Sequence, residues 1–218
     1  MKKFIITGIV LAGITFSASA LGLSVGAKGI IGTNIGTSIE ETKANLENDP
    51  TFSGGFGITA DVGLFGTLGV RGGLNFVNST VTAKSSSSGS QVQKLDTTMV
   101  DVPLMLHLAL PIGNLSIGAG AGLNFSFILN PQYTLGSSIT PENISTNGIK
   151  TGLVFGADLK FYIIKNLALT ADVNYMLDFS PTKVQYTYKN TFFSTTTDAF
   201  EFTRRALYGG LGLEFRFF

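Results

Sequence analysis

From residue 21 onward, apolar and polar residues alternate in eight runs, each reading as a strand with one apolar face and one polar or glycine-rich face. The first run, 21–36, sets Leu23, Val25, Ala27 and Ile31 against Ser24, Gly26 and Lys28. The second and third, 53–64 and 68–78, place Asp61 and Arg71 opposite Val62 and Val70. The fourth, 98–110, opposes Val100, Val102, Leu104, Leu106 and Leu108 to Asp101, Pro103, Met105 and His107. In the fifth, 115–129, the polar phase is Ser116, Gly118, Gly120, Gly122, Asn124 and Ser126. The sixth and seventh, 151–163 and 167–179, carry Asp158 and Lys160, then Asp172, Asn174 and Asp178, on that phase. The last, 207–218, puts Leu211, Leu213, Phe215 and Phe217 on one face and Tyr208, Gly210, Glu214 and Arg216 on the other.

The connections decide how these strands are arranged. Long polar segments at 37–52, 79–97, 130–150 and 180–203 alternate with tight turns at 65–67, 111–114 and 165–166. Four large loops at one end and three short turns at the other are expected of an up-and-down barrel spanning an outer membrane, with extracellular loops and periplasmic turns. The predicted fold is all-β, an eight-stranded antiparallel transmembrane barrel over 21–218. A soluble eight-stranded barrel also alternates, but its outer phase faces water and is charged. Here the phase opposite the apolar one is full of glycine, which makes poor sense on a water-facing surface. Inside a barrel, Gly118, Gly120 and Gly122 would leave room for long inward side chains such as Arg71. Pro103 removes a ladder hydrogen bond, so a local irregularity is expected there.

Composition agrees: charged residues are 13%, hydrophobic residues 44%, and there are 27 Gly and 18 Phe. Past Phe16 no stretch of about 18 apolar residues occurs, so the hydrophobicity lies on alternate positions and not in helical spans. A net charge of +1 with no Arg/Lys cluster gives no argument for nucleic acid. At the start, Met1-Lys2-Lys3, an apolar stretch 4–16 and Ala18-Ser19-Ala20 read as a signal peptide, 1–20, cleaved after Ala20. There is no cysteine, hence no lipid anchor through one and no disulfide. The alternating final strand with Phe215, Phe217 and Phe218 is similar to the C-terminal assembly signal of bacterial outer-membrane barrels, with Phe218 one residue past the apolar phase.

The chemistry-bearing residues gather on the inward phase: Lys28, Asp61, Arg71, Asp101, His107, Asp158, Lys160, Asp172, Glu214 and Arg216. Buried charges must be paired, so these form either a side-chain network filling the lumen or the lining of a narrow gated channel. Eight strands leave room for side chains or one small ligand, not for an open pore. His107 is the sole histidine; Asp101 could orient it, yet no G-x-S-x-G, cysteine or second histidine completes a catalytic or zinc site. No catalytic residue, cofactor or metal is therefore expected. In the last long connection Tyr186, Tyr188, Phe192 and Phe193 stand among threonines. They form either a contact surface for an extracellular ligand or host surface, or a hairpin that continues the flanking strands.

The run Asp101-Val-Pro-Leu-Met-Leu106, a short turn, then Leu115-Ser-Ile-Gly-Ala-Gly-Ala-Gly122 resembles the porin-like outer-membrane beta-barrel families of the OmpA/OmpX/PorT type. Many of those have an acidic-apolar-Pro-Leu-x-Leu strand followed by a Gly/Ala strand. The resemblance implies residence in the outer membrane of a Gram-negative bacterium, lipid as surroundings, and the barrel assembly machinery as partner through the C-terminal strand. It implies no single activity, because small barrels of this shape host adhesins, enzymes, pores and structural proteins.

Overall fold

The computed structural model describes residues 22–34, 38–40, 46–49, 52–65, 67–85, 92–135, 143–146, 148–190 and 193–217. The expected signal peptide, Phe192 and Phe218 lie outside the described residues. Eight strands make the wall: β1 (Gly22–Asn34), β4 (Phe52–Phe65), β5 (Leu68–Ser85), β6 (Val92–Ile112), β7 (Leu115–Leu135), β9 (Lys150–Ile164), β10 (Leu167–Asp178) and β13 (Arg205–Arg216). Between them run β2 (Ser38–Glu40), β3 (Leu46–Asp49), β8 (Asn143–Thr146), β11 (Thr182–Asn190) and β12 (Phe193–Thr203). Around the wall the order is β4-β1-β13-β10-β9-β7-β6-β5, and β5 pairs back to β4, so the sheet closes with every neighbour antiparallel. This is the expected eight-stranded barrel; among the described residues no helix occurs.

Alternation sets the two faces as expected. Leu104, Leu106, Leu108, Leu159, Phe161, Leu169, Val173 and Leu211 stand exposed on the outward face, while Met105, His107, Asp158, Lys160, Asn174 and Tyr208 are buried inside. A concavity of about 810 Å³ is lined by outward residues such as Gly29, Ile31, Ala171 and Leu211 together with inward ones, Ile30, Asp158 and Asp172 among them. Glycines on the inward phase make room for polar side chains. A Cβ on Gly118 would meet His107 and Asp158, and one on Gly210 would meet Asp172 and Lys28. Gly120 and Gly122 differ from the expectation: a Cβ there would strike the Leu106 and Leu104 carbonyls, so these two permit close strand approach.

The turns fall at the expected places, and Gly113 takes the left-handed conformation that its turn requires (φ 62°). Pro103 also behaves as its chemistry predicts. The ladder between β5 and β6 runs to Gly72–Leu104, skips two rungs, and resumes at Asn75–Asp101.

The long connections are less irregular than the pattern suggests. β5 continues to Ser85, β6 already begins at Val92, and β7 runs on to Leu135. The 180–203 segment is largely the hairpin β11–β12, flanked by β2 and β8 in a second, four-stranded sheet. Beyond the apolar belt both faces can be polar, so the alternation of hydrophobicity stops while backbone pairing goes on. β7 passes this boundary through a register shift opposite Asp96 and Thr98 of β6, with Asn130 in the left-handed region (φ 46°) before Pro131. Tyr186 and Tyr188 lie in β11 and Phe193 in β12, which places them on the continued hairpin.

Candidate functional site

The inward phase builds a packed lumen in three tiers. The first lies toward the short-turn end. Arg71 on β5 makes a two-pronged pair with Asp61 on β4, its Nε 2.7 Å from Oδ1 and an Nη 2.9 Å from Oδ2. Its other Nη reaches across to Asp158 on β9 at 2.6 Å. Lys160, also on β9, donates to Asp61 at 2.6 Å and to Glu214 on β13 at 2.7 Å. His107 Nε2 lies 2.6 Å from Asp158 Oδ1. Lys28 on β1 bonds both oxygens of Asp172 on β10, at 2.8 and 3.0 Å, and Asn174 donates to the same carboxylate.

The middle tier is apolar: Ile30, Val77, Met105, Val154, Met176, Ala206 and Tyr208 form one buried cluster. On strand after strand an inward apolar residue separates the two charged ends. On β13 the inward phase runs from Arg204, just before the strand, through Ala206, Tyr208, Gly210 and Gly212 to Glu214 and Arg216. On β10 it is Asp172, Asn174, Met176 and Asp178.

The third tier lies toward the long connections and centres on Arg204. This residue is 1% exposed and donates to Asp101 Oδ1 and Oδ2 at 2.8 and 3.2 Å, to Ser126 Oγ at 2.6 Å, and to Asp178 at 3.4 Å. Asn124 bonds both Asp101 and Ser126. The two Nη atoms of the buried guanidinium have two carboxylates and a hydroxyl as partners, as burial demands, while Nε has none among the described residues.

Nine of the ten residues expected in the lumen are brought into this packing. The tenth, Arg216, is corrected: it shares the inward phase but lies exposed at the rim, its guanidinium 5.1 Å from the centre of the Tyr162 ring. Phase fixes a face and not a depth, and Arg216 is the last residue of its strand. The orientation of His107 by Asp101 is also corrected, because Asp101 is taken by Arg204 and Asp158 holds the imidazole. Arg204 itself was not among the expected residues; it falls just outside the alternating run, although its even number puts it in phase with Tyr208 and Glu214. Between the side chains the lumen leaves a cavity of about 20 Å³, lined by Lys28, Arg71, Asn75, Met105 and Asp158 among others. That is room for about one water.

A closed antiparallel barrel with an apolar outer belt and a polar, filled interior defines a small outer-membrane barrel protein. The family profile described as "Outer membrane protein beta-barrel domain" matches residues 14–183, and the chain belongs to that family. No curated protein matches the sequence. Among solved structures it is similar to the outer membrane protein OprG from Pseudomonas aeruginosa, at 14% identity over 90% of this chain and 96% of that one, with a TM-score of 0.68. It is also similar to a major outer membrane protein from Thermus thermophilus, at 16% identity over 89% and 99% of the two chains, TM-score 0.51. Ail, the attachment invasion locus protein of Yersinia pestis, matches at 16% identity over 90% and 99%, TM-score 0.48. These likenesses concern the fold.

Proposed function

We propose that this outer-membrane barrel is a closed, non-catalytic support that displays its long-connection end outside the cell for surface contact. The observation that carries the reading is the packed lumen: two charged tiers and an apolar tier, with a cavity of about 20 Å³ between Lys28, Arg71, Asn75, Met105 and Asp158. Such packing argues for a closed interior, and the pairing of its charges holds a shape. The display end takes up the chain's remaining length, in the hairpin β11–β12 with Tyr186, Tyr188 and Phe193, and in the extensions of β5, β6 and β7. Aromatic residues interspersed with threonines along the sequence suit contact with another macromolecule. His107 is committed to Asp158, which fits a packing role.

Recording from purified protein in planar bilayers tests this. The expected result is no steady open level. A large, stable conductance in the unmodified protein would overturn the closed support and favour a narrow channel for small solutes.

A further inference from the structure

Among the described residues, the one buried charge that does not sit on a wall strand is Arg204, at the break between β12 and β13. It marks where the four-stranded sheet joins the barrel. Its carbonyl accepts from the Asp178 amide at 3.0 Å, which ties it to the matching break between β10 and β11. Next to it, Phe179 N donates to Thr151 O at 2.9 Å, and Lys150 Nζ donates to Pro181 O at 2.6 Å. The junction is thus held by backbone bonds and by two cations. The Arg204 side chain does more, since it reaches Asp101 on β6, four strands from β13 whichever way the wall is followed. The Arg204–Asp101 pair thus joins opposite walls of the barrel.

We propose that Arg204 is a positioning residue that fixes the four-stranded sheet relative to the barrel, by anchoring the root of its central hairpin to the opposite wall. The hairpin has two roots, 178–182 and 203–205, and on its own would pivot about them. A guanidinium committed to Asp101, Ser126 and Asp178 removes that pivot, because tilting the hairpin would drag the fork off carboxylates too deeply buried for solvent to take its place. The middle and short-turn tiers close the lumen without its help. Its task is therefore orientation and not sealing. The inference rests on the display reading only for its purpose; the anchoring stands or falls separately.

The chain has no cysteine, so labels can be placed at will. Spin labels at Thr195→Cys in the hairpin and Asn114→Cys in a turn report hairpin orientation as a distance distribution in liposomes. The unmodified background is expected to give one narrow peak. Arg204→Met with Asp101→Asn removes the anchor without stranding a full charge on Asp101. It is expected to lose the narrow peak while keeping the fast gel mobility of an unboiled folded barrel and the same low bilayer current. Arg204→Lys keeps the charge but lacks the fork, and is expected to broaden the peak less. Should the double variant fail to fold, Arg204→Lys decides the matter. A folded variant of either kind with an unchanged narrow peak overturns the anchoring. A narrow peak lost together with a rise in current overturns it too, since Arg204 would then be a seal. A conducting unmodified barrel would end the display reading while leaving the label result to judge Arg204.

Discussion

At the scale of single residues, position on the inner or outer phase decides what a substitution costs. Leu104 is half exposed to the bilayer near the middle of β6, and Leu104→Arg should destabilise by about 2–4 kcal/mol. Arg71→Ala is the inward counterpart. It removes the partner of Asp61 and Asp158 and leaves buried carboxylates short of a cation, which should cost about 3–5 kcal/mol. Urea unfolding in liposomes measures both, and a cost near zero for Arg71→Ala would mean that water reaches the pair. The phase of these residues was plain in the sequence, which is why Lys28, Asp61, Arg71, Asp158 and Glu214 could be placed inside. Depth and partners were not plain. Nothing local distinguishes Arg216 at the rim from Glu214 two residues earlier, and only the closed wall brings Asp101 of β6 against Arg204.

Strands and connections show a different limit. An apolar belt meeting lipid leaves a clear period-two signature, so all eight wall strands and the three turns were legible. Outside the belt the same strands continue with polar residues on the phase that is apolar within it, as where Thr80 of β5 pairs with Asp96 of β6 and Thr82 with Lys94, and the signature breaks off. Two predictions belong here. An epitope inserted at Ser87, in the β5–β6 connection, should be reached by antibody on intact cells, and one at Gly113 should be hidden until the outer membrane is opened. Reversed labelling would invert the barrel. Successive amides of a strand turn to opposite neighbours, so where Pro103 interrupts the β5–β6 ladder, the one of Gly73 and Leu74 that faces β6 should exchange with deuterium sooner than the other, which β4 still holds. Uniform protection along β5 would mean that water or a neighbouring carbonyl repairs the gap.

For the whole molecule, the tiers make the lumen redundant in its closure. Loosening one charged tier should leave the other and the apolar cluster in place, so Arg71→Ala should still pass little current in a planar bilayer. A marked rise in current from this single change would show that the short-turn tier alone closes the barrel.

The two long ion pairs have a mechanical side. Lys160 to Asp61 joins β9 to β4, and Arg204 to Asp101 joins β13 to β6; each spans a diameter, and in the order of the strands the two diameters lie a quarter of the circumference apart. A thin-walled tube squeezed from the side flattens into an oval, shortening one axis and stretching the axis at right angles to it. A tie on one axis leaves the other free to bulge at a different height. Ties on both, near opposite ends, mean that each end resists stretching along its own axis, because that pulls a guanidinium or an ammonium from its carboxylate. The crowding of the surrounding lipid then presses on a cylinder whose two ends are tied along different axes by four charged side chains.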